Sequence, residues 1–329
     1  MLNDKEFLAF QEGIFKECFE KYIVFKRGKG EKVDRSTLIR LKSLNQALNQ
    51  SCHSLEINRD VAEFILRERE NESPSTRNLR ISDFRQFSSF LRSLGVDSYE
   101  IPRKYTKKIY VPFRPYVFSK TELVAITTAA DQLPQGVRSQ THCLVYPIII
   151  RILIGTGMRI GEVLSLKIQD VDMVNRLFIV YKSKNNVSRY VPMSESLSSA
   201  VGKYLSKIQH HNEPQEYLFV SPYTGTGYSY DGMKYMFQKI YSATGVRTSQ
   251  GRLPRIHDLR HSFCTASLNR MLDSGMNLYT AVPILAAYVG HVNLIDTERY
   301  IHLTEHGYDD FIRKETHLRS LIPEVCDEN

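Results

Sequence analysis

The chain has 329 residues, 44 Lys+Arg against 36 Asp+Glu, and a formal charge of +8, with 42% hydrophobic and 24% charged residues. This is ordinary globular composition, which excludes a disordered, collagenous or coiled-coil protein, and the length fits two domains, each able to bury its own core. The longest apolar run, Leu144 to Ile150, is far short of the roughly 20 residues a membrane span needs. The N-terminus carries acids and no long apolar stretch, so no secretory signal and no membrane partner are expected. The five cysteines (Cys18, Cys52, Cys143, Cys264, Cys326) form no C-x-x-C pair and are odd in number. That is neither a disulfide framework nor a zinc pattern, and a reducing cytoplasm is the natural setting.

In chain order, Phe7, Phe10, Ile14, Phe15, Phe19 and Tyr22 recur at helical steps and predict a first helix. Leu38, Leu41, Leu44 and Leu48 predict a second, and Val61, Phe64 and Ile65 a third. A fourth follows Pro74, with Thr76 as a candidate N-cap and Gly95 as its stop. Its aromatic stripe (Phe84, Phe87) reads as core. Residues 101–120 hold Arg103, Lys104, Lys107, Lys108, Arg114 and Lys120, three prolines and no acid. They read as an extended basic linker suited to a phosphate backbone. The net charge leans toward a polyanionic partner, and its distribution is uneven: residues 1–118 carry +6 and the rest +2.

Past the linker, Ser119 reads as a helix cap. An apolar helix through Ile148–Ile154 should end at Gly155-Thr156-Gly157, with a new helix starting near Met158. Leu177–Tyr181, the turn Lys184-Asn185-Asn186 and Val187–Val191 predict a β-hairpin. The remainder reads as helical, with breaks at Gly275 and Gly290. The expected fold is therefore mainly α with a small β-sheet: a helical domain over 1–102, a linker over 103–118, and a mixed α+β domain over 119–329.

Four segments of the second domain carry chemistry: Gly155-Thr156-Gly157-Met158-Arg159-Ile160-Gly161-Glu162, the Lys184 hairpin, His257-Asp258-Leu259-Arg260-His261, and Gly290-His291 with Tyr300 nine residues later. His257 and Arg260 lie three apart and share a helix face. Gly290 reads as a helix-ending glycine followed by an exposed imidazole, and Asn293, with Asp296 after it, as the cap of a helix bearing Tyr300. Two guanidiniums can hold one phosphate, an ammonium can protonate a leaving alkoxide, and a phenol can attack phosphorus. Equatorial charge is then stabilised without a metal. His210-His211 and the His302/His306 pair lack the further ligands of a metal site, so no metal or other cofactor is expected.

These four segments, in this order and spacing from Ser119 to His302, resemble the tyrosine recombinases, or lambda-integrase family. The resemblance implies that Arg159 and Arg260 clamp a scissile DNA phosphate and that Tyr300 attacks it to give a 3′-phosphotyrosyl link. Lys184 would be the general acid, with Lys182 the alternative. His257 would assist proton transfer, and His291 would bond a non-bridging oxygen. Glu162 would support the arginines or be an ordinary helix acid, and His261 would be structural. The segment Ser73–Pro102 resembles the family's helical core-DNA-binding domain; residues 1–55 depart from it and leave too little room for an added arm-binding domain.

The implied protein is a site-specific DNA recombinase, an integrase or transposase of a bacterial mobile element. It would act on double-stranded DNA in the nucleoid as a homotetramer, with accessory DNA-bending or directionality proteins. The tail after Tyr300, with Phe311, Ile312, Leu318 and Leu321, would dock on a neighbour or, alternatively, pack on its own domain. Alternatives are a type IB topoisomerase-like enzyme, a chromosome-dimer resolvase, or a non-enzymatic DNA-binding regulator.

Overall fold

The computed structural model describes residues 10, 12–31, 33–70, 72–106, 115–134, 142–181, 188–208 and 216–291, with Thr297, Tyr300 and Ile301; of Lys104 it describes the backbone. The chain divides into two compact units, Met1–Phe113 and Arg114–Asn329.

The first unit is helical: α1 (Lys16–Gly28), α2 (Arg35–Ser51), α3 (Arg59–Leu66) and α4 (Pro74–Ser93). The expected first helix begins later than its apolar spacing predicts. At Gly13 the chain takes φ +155°, where a Cβ would collide with Asn49. Helix α1 starts beyond that turn, after the Phe15 N–H has donated to Asn49 Oδ1 at 3.3 Å. Phe10 and Phe15 are nonetheless buried. The aromatic stripe is core, with the Phe19 and Phe87 rings stacked at 3.9 Å. Phe64 is the exception: 53% of it is exposed, with the Arg67 guanidinium over its ring.

Ser73, not Thr76, caps α4: its hydroxyl accepts the Thr76 N–H, with Pro74 at the first helical position. Gly95 (φ +80°) ends the helix in the left-handed conformation, and Val96 N–H reaches back to Leu91 O. The first residues of the expected linker, Arg103–Tyr105, form a 3-10 turn rather than an extended strand. Arg85 of α4 explains this by donating to the Ile101 and Pro102 carbonyls, both at 2.9 Å. Arg103 is exposed; Lys107, Lys108 and Arg114 lie outside the described residues.

The second unit contains α5 (Lys120–Asp131), α6 (His142–Thr156), α7 (Ile160–Ser165), β1 (Val171–Asp172), β2 (Leu177–Val180), β3 (Arg189–Pro192), α8 (Glu195–Lys207), α9 (Tyr230–Thr244), α10 (Ile256–Asp273) and α11 (Leu278–Val289). A small sheet beside helices is thus the observed architecture. Ser119 and Glu122 close a reciprocal capping box on α5. Helix α6 runs through the core with Ile149, Ile150, Ile152 and Leu153 buried, packed on α5, α8 and α10. The sheet is antiparallel in the order β1-β2-β3, and Val180 pairs with Arg189. Strand β1 carries no alternating pattern of its own and was not legible in the sequence.

Between α6 and α7, Gly157 takes φ +62°, and a Cβ there would land on the Phe263 ring of α10. Phe263 fills the space over this turn and stacks on Tyr288 at 5.6 Å. Gly157→Ala combines left-handed strain with overpacking and is expected to cost about 2–4 kcal/mol, read as a lowered thermal midpoint.

Candidate active site

Three guanidiniums from three elements converge on the C-terminal end of α11. The last carbonyls of a helix lack intrahelical partners and form the negative end of its dipole. Arg189 Nε donates to Tyr288 O at 2.9 Å, Arg260 Nη2 to Val289 O at 2.7 Å, and Arg159 Nη2 to Gly290 O at 3.2 Å. Gly290 (φ +68°) turns the chain out of the helix, and His291 N–H closes back on Ala286 O at 2.9 Å.

Each arginine is also fixed from its own side. Arg159 stands immediately before α7, and Glu162 in the first turn of that helix accepts both its N–H and its Nη1, at 2.9 Å each. Arg260 of α10 is 2% exposed and donates through Nη1 to Gly157 O at 2.8 Å. It therefore ties α10 to the turn that carries Arg159. Arg189 of β3 grips both Glu162 oxygens, at 3.1 and 2.8 Å. Burial opposes the charge of Glu162, but the Arg189 hydrogen bonds and charge, followed by the Arg159 contacts, hold its carboxyl below the usual carboxylate range.

The histidines and the tyrosine complete the cluster. Tyr300 is 2% exposed, and its Oη lies 3.0 Å from His261 Nδ1. Cys264 lies in the same buried cluster as Tyr300, and burial raises its thiol's pKa. His291 is half-buried rather than exposed as expected, because its Nδ1 is 2.8 Å from Thr297 Oγ1 and its ring stacks on Tyr300 at 6.2 Å. The His257 ring meets His261 edge-on at 4.8 Å. Surrounding protein, then the charges of Arg260 and Arg159, push the His257 pKa down to about 4; the residue is exposed, so water screens much of this effect. His261 is buried, and burial, then His257, lowers its pKa to about 3.

Both imidazoles are therefore neutral at pH 7. Because the folded pKa of His261 lies below the unfolded value of about 6.5, the unfolded chain takes up the proton first. Stability is intact above pH 6.5 and falls as the pH drops from there towards 3. The thermal midpoint is expected to fall between pH 7 and pH 4.5, and His261→Gln to flatten that slope. An unchanged slope would contradict this.

Arg159, His257, Arg260, His291 and Tyr300 thus come together in one place, while Lys182, Lys184, Asn293, Asp296, His210, His211, His302, His306 and the C-terminal tail lie outside the described residues. Sequence reasoning missed Arg189 and did not foresee that His261, read as structural, touches the phenol. Chemically, the cluster offers cationic donors for a tetrahedral or trigonal-bipyramidal oxyanion beside a phenol.

Residues 117–306 match the model of the phage integrase family. A protein of Sinorhizobium fredii named as an integrase/recombinase, y4rB, is 28% identical over 87% of this chain and 92% of its own length. Tyrosine recombinase XerC of Staphylococcus carnosus is 27% identical over 71% of this chain and 81% of its own. Among solved structures, the Tn1549 transposon integrase in complex with a circular intermediate DNA superposes with a TM-score of 0.62 (21% identity, 91% of this chain, 98% of that one). XerH recombinase bound to its difH substrate gives 0.63 (19% identity, 84% of this chain, 77% of that one). With the family model matching more than half of its length, the chain belongs to the phage integrase family, the tyrosine recombinases, enzymes that cut and rejoin DNA strands.

Proposed function

We propose that this chain is a site-specific recombinase of a bacterial mobile element, acting on double-stranded DNA through a 3′-phosphotyrosyl intermediate. The observation that carries the reading is the meeting of Arg159 and Arg260 at the end of α11, with the Tyr300 ring stacked on His291 just beyond it. In this mechanism Arg159 and Arg260 bind the non-bridging oxygens of one phosphodiester and His291 donates to one of them. The Tyr300 oxygen attacks phosphorus as its proton passes to the neutral His257 imidazole, which returns it when the step reverses. The bond from phosphorus to the 5′ oxygen breaks, and that oxygen takes a proton from Lys184 on the hairpin, or from Lys182. One phosphodiester becomes one phosphotyrosine ester plus a free 5′-hydroxyl, so bond energy is conserved. Attack by a 5′-hydroxyl from a partner strand reverses the step and seals the exchanged product.

The first unit is assigned to duplex binding, supported by the excess of basic residues over 1–118. Arg103, Lys104, Lys107, Lys108 and Arg114 would follow the sugar-phosphate backbone. Four copies would pair two sites, and accessory proteins would set direction. The DNA-bound complexes among the structural neighbours support a duplex partner. The mobile-element reading takes its support from the relative named as an integrase/recombinase, 28% identical over 87% of this chain.

The test is a supercoiled plasmid carrying two copies of the sequence that flanks this gene. Deletion or inversion of the intervening segment is expected. Relaxation of the plasmid without exchange, and without dependence on the inserted sequence, would favour a topoisomerase instead.

A further inference from the structure

We propose that Arg189 is a positioning residue that keeps the charge of Arg159 available to the scissile phosphate by carrying the charge of Glu162 itself; this rests on the recombinase reading above. Glu162 is 7% exposed and holds its negative charge in a site that must attract an anion. Paired with Arg159 alone, it would cancel that guanidinium within 2.9 Å and weaken its pull on a phosphate. The structure supplies a second cation. Arg189 takes both carboxylate oxygens in a two-pronged pair, whereas the Arg159 side chain offers one nitrogen to one oxygen. The set of three carries a net charge of +1.

The division of labour follows from exposure and commitment. The Arg189 side chain is 8% exposed and that of Arg159 20%. Each of the three guanidinium nitrogens of Arg189 is engaged, Nε with Tyr288 O and both Nη with Glu162. Arg189 is thus the more buried of the two and the more fully committed to protein partners. Arg189 also lies on the return strand of the hairpin that bears Lys184, five residues earlier in the chain. One side chain therefore ties that strand to the start of α7 and to the turn of His291.

A charge-sparing role makes a prediction that a merely structural one does not: removing the carboxylate should repair the loss of Arg189. The experiment measures single-turnover cleavage of a nicked suicide duplex, with thermal melting and duplex binding as controls. Arg189→Gln is expected to cut about 10–100-fold more slowly than wild type, with duplex binding within about threefold, because Glu162 then neutralises Arg159. The double variant Arg189→Gln/Glu162→Gln is expected to cut at least about tenfold faster than Arg189→Gln. Arg189→Lys loses the fork but keeps a cation beside Glu162, and since offsetting the carboxylate charge is what the proposal requires of this residue, it is expected within about fivefold of wild type.

Wild-type cleavage by Arg189→Gln, or a folded double variant no faster than Arg189→Gln, would overturn the proposal. Should Arg189→Gln fail to fold, Arg189→Lys decides: a folded lysine variant that loses cleavage 10-fold or more would show that charge is not what the site needs. Absence of cleavage by the wild-type chain would sink the recombinase reading, a result distinct from any of these.

Discussion

Phe in place of Tyr300 is expected to abolish the covalent protein–DNA adduct while leaving duplex binding near wild type. The phenol oxygen is the one atom the change removes. It is the proposed nucleophile, and loss of a nucleophile typically costs at least about 10⁴-fold in rate. The ring itself stays. It continues to fill the cluster with Cys264, Leu268, Leu285 and Val289 and to stack on His291. What the fold loses is the hydrogen bond to His261, worth about 1 kcal/mol, so the melting temperature should fall slightly. Denaturing gels of the protein with nicked duplex measure the adduct, and mobility shifts measure binding. A Phe variant that forms the adduct at wild-type levels would remove the central assignment.

The second large effect is expected at Arg260. Arg260→Ala leaves Gly157 O and Val289 O without the donors that now reach them at 2.8 and 2.7 Å in a buried setting. Each unmet carbonyl costs about 1–3 kcal/mol, so Ala confounds stability with chemistry. Arg260→Lys separates them. The lysine keeps the charge but is a single point that cannot bridge both carbonyls and still present a forked donor pair to a phosphate. Single-turnover cleavage by Arg260→Lys is expected to fall at least about 100-fold in a protein that still melts cooperatively. Cleavage within about threefold of wild type would mean that the fork is not what the reaction uses.

Much of this site was legible in the sequence, for identifiable reasons. Gly290 and Gly95 end helices because left-handed backbone favours glycine, and both stand next to strong periodic patterns. Arg260 and His257 share a face because helical spacing requires it. Arg189 escaped notice because a cation in a hairpin reads as solvated. The signal was its register: it sits two residues before the buried Val191, hence on the inward face of β3. The contact of His261 with Tyr300 depends on how the chain returns from Gly290, which no local pattern encodes. The half-burial of His291 has the same origin, since Thr297, six residues on, supplies the partner of its Nδ1. The late start of α1 came from one glycine, whose close approach to Asn49 is a tertiary fact.

The most direct measurement is to trap the wild-type protein on a nicked duplex, digest the adduct and identify the modified peptide by mass spectrometry. The account predicts a single nucleotide 3′-phosphate esterified to the Tyr300 oxygen, in the peptide that follows His291. Attachment at any other residue, or cleaved DNA bearing no attached protein, would contradict it.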